Sequence, residues 1–215
     1  MKAIIFDMDG LMIDSERLYF EAEREIGQKF DKTVKEETLW DMMGRRPIES
    51  VRVLVRDLGI SASPEEILET RNVLMRRKLA ADLVPMPGLH HLIDLFYGQM
   101  KLAVCTGAEK EFLDIALDKL GIRDKFAVLQ SSDDIVNGKP DPEIYLETCR
   151  KLGLAPQDCI VLEDSSNGAR AGKRAGCYVI AVPTAYTCGQ DFGFVDFIAP
   201  DLFGATSHIH TLGAG

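Results

Sequence analysis

The chain has 215 residues, 46% of them hydrophobic, and a formal net charge of −9. That length and apolar share can bury one sizeable core with a smaller insert, while the acidic balance opposes nonspecific binding to nucleic acid or anionic lipid. Five cysteines without CxxC spacing argue against a disulfide framework or zinc ribbon and for reduced thiols in the cytoplasm. No apolar run approaches the roughly 18 residues of a membrane span, and the first residues read as a strand rather than a charged-then-apolar leader.

That first strand is Ala3-Ile4-Ile5-Phe6, an apolar run of the kind buried on both faces of a sheet. It leads into Asp7-Met8-Asp9-Gly10. Continued strand alternation would put Asp7 and Asp9 on one side of the chain. Two acids crowded at the end of a buried strand are costly unless a cation or proton separates them. The pressure suits metal-assisted phosphotransfer, with one Asp as nucleophile and the other as acid/base. Taken alone, the same residues also fit a polar turn after a core strand.

Asp14-Ser15-Glu16 opens a helix on which Leu18, Ala22 and Ile26 recur at helical spacing. A second helical stretch ends at Asp41–Gly44, and Gly44-Arg45-Arg46-Pro47 forms a loop. Val51, Leu54, Val55 and Leu58 line a third helix, and Ser63-Pro64-Glu65-Glu66 is a capping box for a fourth, running to about Ala81. Residues 15–82 are therefore predicted to be all-helical, with Trp40 packed inside. Leu83–Gly88 is a linker. Beyond it, strands are predicted at 102–105, 127–129, 159–162 and 178–182, separated by helices near 89–98, 109–120, 142–152 and 167–175. Such alternation implies right-handed crossovers and a parallel sheet covered on both faces. Leu58-Gly59-Ile60, Leu120-Gly121-Ile122 and Leu152-Gly153-Leu154 repeat one stop signal, a left-handed glycine and an apolar residue folding back. Val195–Ala199 reads as a last strand and Leu212–Gly215 as a frayed end.

Ligands of open parallel sheets sit beyond the carboxyl ends of the strands. There this sequence carries Thr106-Gly107, a hydroxyl followed by an unobstructed N–H suited to a phosphoryl oxygen. It also carries Lys139 on the loop Gly138-Lys139-Pro140-Asp141-Pro142, where Asp141 caps a helix that Pro142 starts. Glu163-Asp164-Ser165 follows the strand at 159–162, and hard carboxylate ligands suit magnesium. Cys105 reads as a small core residue: cysteine phosphatase chemistry needs an arginine at about position 111, where the chain has Glu111. His208-Ile209-His210 lacks a third ligand nearby and reads as surface, as does His90-His91. Leu11 occupies a ligand position of the calcium loop that Asp7-x-Asp9 could otherwise open.

In this order and context, Asp7-x-Asp9-Gly10, Thr106-Gly107, Lys139 within GKPDP and Glu163-Asp164-Ser165-x-x-Gly168 resemble the four motifs of the haloacid dehalogenase-like hydrolase superfamily. The stretch from Asp9-Gly10-Leu11 to Tyr19 is similar to its β-phosphoglucomutase and pseudouridine-5′-phosphatase branch. The resemblance implies an α/β fold: a Rossmann-like parallel-sheet core from residues 1–14 and 83–215, with a four-helix cap at 15–82 inserted after the first strand. It further implies a phosphatase of a small phosphorylated metabolite, a sugar phosphate or nucleotide-like monophosphate. Asp7 would be the nucleophile and Asp9 the acid/base; Thr106, Gly107 and Lys139 would bind phosphate. Mg2+ would be held by Asp7, the carbonyl of Asp9, and Asp164, with Glu163 close by. The cap would move on hinges at Leu11–Ser15 and Leu83–Pro87. Arg45 or Arg46 would contact the leaving group, or merely cap a helix end. Tyr19 stands where the mutases carry a histidine, which favours hydrolysis over β-phosphoglucomutase-type transfer. A silent sugar-phosphate sensor is the rival of another class. The expected setting is a cytoplasmic monomer or weak homodimer without membrane or nucleic-acid partners.

Overall fold

The computed structural model describes residues 1–43 and 47–213. The chain divides into two compact units, Met1–Asp14 with Val84–Gly215, and Ser15–Leu83. The first is built on β1 (Ala3–Phe6), β2 (Lys101–Cys105), β3 (Val128–Gln130), β4 (Cys159–Glu163), β5 (Tyr178–Ala181) and β6 (Phe197–Ile198). They form one sheet in the order β3-β2-β1-β4-β5-β6, and every pair is parallel. This is an α/β, Rossmann-like sheet whose connections reverse direction at β1. Its ligand crevice therefore opens beyond the carboxyl ends of β1 and its neighbours.

The run AIIF is fully buried because parallel strands are covered on both faces. Ile5 pairs with Ala103 on one side and Val161 on the other, so β1 is the middle of the hydrophobic core.

The second unit contains α1 (Ser15–Lys29), α2 (Glu36–Met42), α3 (Pro47–Leu58) and α4 (Pro64–Asp82) among its described residues. Leu18, Ala22, Ile26, Leu39, Leu54 and Leu74 fill its core. Both halves of the predicted capping box at Ser63 and Glu66 are made. Ion pairs tie α1 to α4, Lys78 Nζ lying 2.7 Å from Glu25 and 3.2 Å from Glu21, and the buried Arg71 guanidinium faces the buried Glu23 carboxyl at 3.7 Å. Trp40 departs from expectation. It is 46% exposed and meets Phe20 edge-on, because Leu39 and Met42 take the inward face of the two-turn α2. Arg45 and Arg46 lie outside the described residues.

The remaining helices of the sheet unit are α5 (Leu89–Phe96), α6 (Lys110–Leu120), α7 (Glu143–Leu152), α8 (Ser166–Ala175) and α9 (Leu202–Gly213). Gly121 and Gly153 cap α6 and α7 in the left-handed conformation, as their stop signals predict. Three expectations near the helix and chain ends change. α7 begins at Glu143 rather than Pro142, although Asp141 still accepts the Glu143 N–H at 3.0 Å. The last strand shrinks to Phe197–Ile198, and α9 runs from Leu202 through Leu212 and Gly213, the first residues of the end expected to fray. Leu202, Ala205 and Ile209 are its buried stripe, and the turn at Asp201 holds its start through the Gly204 N–H. His208 is correspondingly half-buried, its ring stacked on Phe197 and its Nε2 2.8 Å from the Tyr178 hydroxyl.

Candidate active site

At the end of β1 the ladder continues one residue further, Asp7 N–H donating to the Leu162 carbonyl at 3.0 Å. The chain then turns back on itself, with Gly10 N–H donating to Ile13 and Met12 N–H to Met8. Gly10 has φ +78, and a Cβ there would come 2.8 Å from the Asp164 carboxyl carbon. Glycine is required twice over, for the backbone conformation and for the close approach of Asp164. Asp7 and Asp164 are both buried, and Asp9 is half-buried.

Beyond β2, Thr106 is fully buried, donates from Oγ1 to Asp9 Oδ2 at 3.2 Å and accepts the Ala108 N–H at 3.0 Å. Gly107 is exposed with open space around it, so nothing screens its backbone. Lys139 reaches in from the loop between β3 and α7. Its Nζ lies 2.5 Å from Asp7 Oδ1, 2.6 Å from Glu163 Oε1 and 3.4 Å from the Cys105 carbonyl. The loop is pinned by the Glu143 carboxylate, which accepts the N–H groups of Val136 and Asn137 at 2.8 Å, and by Arg174, which donates to the Pro140 carbonyl. Four segments distant in sequence thus converge on Asp7.

Glu163 is fully buried at the end of β4. Its Oε1 accepts from Lys139 and from the Tyr145 hydroxyl at 2.7 Å; its Oε2 accepts from Ser165 Oγ at 2.9 Å and Ser165 N at 3.3 Å. Ser165 also caps α8 by accepting the Gly168 N–H. The backbone of Gly168 lies so close to the Glu163 carboxylate that a Cβ would overlap it.

Asp7, Glu163 and Asp164 offer carboxylate oxygens all within 4.8 Å of one another. Three buried carboxylates facing one ammonium leave negative charge uncompensated, and hard oxygen donors match a divalent cation such as Mg2+. Burial pushes the Asp7 carboxyl up to about 8 against the pull of Lys139, with Glu163 and Asp9 adding to the rise. Burial likewise lifts the Cys105 thiol to about 12, so Cys105 is an unreactive core residue. In the helical unit, Tyr19 is half-buried, with the Arg71 guanidinium 5.5 Å over its ring.

Tyr145 and the buried Glu23–Arg71 pair escape sequence reading, and Ser165 is read there only as a member of its motif, without its contacts to Glu163. Each sits in a helix or cap position where a polar residue is ordinary, and only Tyr145, in the first turn after the GKPDP loop, carries a positional hint.

A family model described as haloacid dehalogenase-like hydrolase matches residues 4–182. The chain is 35% identical over 178 residues to a phosphorylated carbohydrates phosphatase of Thermotoga maritima, covering 82% of each. It is 34% identical over 191 residues to a "probable pseudouridine-5'-phosphatase" of Drosophila melanogaster, covering 83% of this chain and 80% of that one. Among solved structures, CbbY from Rhodobacter sphaeroides in complex with phosphate superposes with a TM-score of 0.84 at 25% identity, covering 94% of this chain and 95% of that one.

Proposed function

Because the chain belongs to the haloacid dehalogenase-like hydrolases, we propose that it is a Mg2+-dependent phosphatase of small phosphorylated metabolites, sugar phosphates foremost, acting through an aspartyl-phosphate on Asp7. The observation that carries this reading is Lys139 Nζ bridging Asp7 and Glu163, with Asp164 alongside, at the carboxyl end of β1.

In the first step an Asp7 oxygen attacks phosphorus in line while Asp9 gives its proton to the departing alkoxide. In the second, water attacks the aspartyl-phosphate and Asp9 takes the proton back, so that phosphate leaves and Asp7 is regenerated. The Thr106 hydroxyl, 3.2 Å from Asp9 Oδ2, orients the acid/base. The Gly107 N–H and the Lys139 ammonium carry charge on the equatorial oxygens, joined by the Thr106 hydroxyl when its one proton turns from Asp9 to the phosphoryl group. Asp7, the Asp9 carbonyl and Asp164 would hold Mg2+, with Glu163 adjacent. When bound, Mg2+ would supply positive charge that offsets the charge developing on the phosphoryl group. The sheet unit is the catalytic core and the helical unit the substrate-selecting cap in this reading, with Tyr19 as one of its contacts.

The test is phosphate release from p-nitrophenyl phosphate and from a panel of sugar phosphates and nucleoside monophosphates. Release should require Mg2+, vanish with chelator and fall by about a thousandfold or more in Asp7→Asn. Turnover that survives in Asp7→Asn would overturn the reading. Sugar-phosphate isomerisation supported by a bisphosphate, without net phosphate release, would replace it with the mutase.

A further inference from the structure

Tyr145 is the largest of the fully buried side chains, and it belongs to the first turn of α7. Phenylalanine would fill the same space without burying a hydroxyl, whose desolvation is unfavourable unless it finds a partner. Here the partner is Glu163 Oε1 at 2.7 Å, the same oxygen that receives Lys139 Nζ at 2.6 Å. Ser165 N–H and Oγ occupy Oε2. A carboxylate offers about four lone-pair sites, and these four donors fill them. The Tyr145 ring also lies beneath the ammonium, 5.1 Å from Nζ to its centroid.

We infer that Tyr145 is a positioning residue for the proposed phosphoryl transfer: its hydroxyl and Ser165 lock the Glu163 carboxylate into a bracket that holds Lys139 against Asp7. The inference rests on the phosphatase reading and adds a role to it. Glu163 spends its acceptor capacity on protein donors, so its work is to aim the lysine rather than to ligate the metal. A lysine is a flexible point charge whose placement has to be imposed from outside. Without the tyrosine hydroxyl, the ammonium becomes the only donor on Oε1. It is then drawn toward Glu163 and away from the phosphate held at Asp7.

The experiment uses calorimetric binding of inorganic phosphate in saturating Mg2+ to four proteins: wild type, Tyr145→Phe, Lys139→Met and the double variant. Tyr145→Phe should weaken phosphate binding by about tenfold when Lys139 is present, the size expected for a hydrogen bond to a charged group. In the Lys139→Met background it should change binding by less than about twofold, since the two act as one unit. Mg2+ binding without phosphate should stay within about twofold of wild type in Tyr145→Phe, because the effect runs through the lysine. Equal losses in both backgrounds, no loss at all, or Mg2+ binding that falls in step with phosphate binding would each overturn the inference. Ser165→Ala, with Ser165→Thr as the rescue, reads the other side of the same bracket should Tyr145→Phe not fold. A wild type that neither binds phosphate nor releases it from p-nitrophenyl phosphate would defeat the phosphatase reading itself. An active wild type with an unaffected Tyr145→Phe would defeat only the role of Tyr145.

Discussion

Gly168 shows how closely the chemistry of the site depends on a residue with no side chain. Its backbone lies against the Glu163 carboxylate, and α8 can start there only because no Cβ intervenes. Gly168→Ala would push the carboxylate off Lys139 or force α8 outward, a small-to-large strain of about 1–3 kcal/mol. Phosphate release by Gly168→Ala should fall by about tenfold or more, out of proportion to its loss of thermal stability. Activity equal to wild type in a stable Gly168→Ala would show that Glu163 does not govern Lys139. Asp7, Asp9, Lys139 and Asp164 are legible as a chemical set in the sequence because acids and a lysine at strand ends are individually costly. Tyr145 is not, because a tyrosine on a helix is ordinary there and gains meaning only through what it touches; Ser165 is legible as a member of its motif, but its grip on Glu163 is not.

Secondary elements were readable where one physical signal dominated. β1 is an uninterrupted apolar run and β4 is one up to its last residue, Glu163, while α4 begins at a capping box whose two reciprocal hydrogen bonds are present. Ser63→Ala removes that box from an exposed helix end and should cost about 1 kcal/mol, seen as an earlier urea midpoint with catalysis intact. No shift in midpoint would mean that the packing of α4 against α1 and α3, rather than its cap, sets the stability of the helical unit. No single signal marks α9, where Gly204, Thr206, Ser207 and Thr211 dilute the apolar stripe, and the strand read at Val195–Ala199 is present only as the two residues of β6. Trp40 lies outside its unit's core for a related reason: helical spacing shows which residues share a face, but the short α2 has room to bury only Thr38, Leu39 and Met42.

Among the described residues, buried titratable groups gather in the candidate site and in the interior of the helical unit. In the latter, burial raises the Glu23 carboxyl to about 8 from an ordinary 4.5, against the attraction of Arg71. Below 4.5 the folded and unfolded chains both hold this proton. Between 4.5 and about 8 only the folded chain keeps it, so stability falls as pH rises across that interval and the loss is complete above it. Glu23→Gln, which mimics the protonated acid, should lose less stability than wild type between about pH 5 and pH 8, measured by urea unfolding. Identical pH profiles for the two proteins would mean that Glu23 is ionised in the folded state, paired with Arg71.

The sequence by itself determined the parallel α/β core, the helical insert after β1 and the acids, threonine and lysine at the strand ends, since local apolar runs, capping residues and the cost of isolated charges are properties of neighbouring residues. Tertiary structure alone decided that Lys139 bridges Asp7 and Glu163, that Tyr145 closes that bridge from below, and that Glu23 and Arg71 face each other out of water. Those arrangements depend on distances between segments far apart along the chain, which follow from the order and register of the strands and from no residue's immediate surroundings.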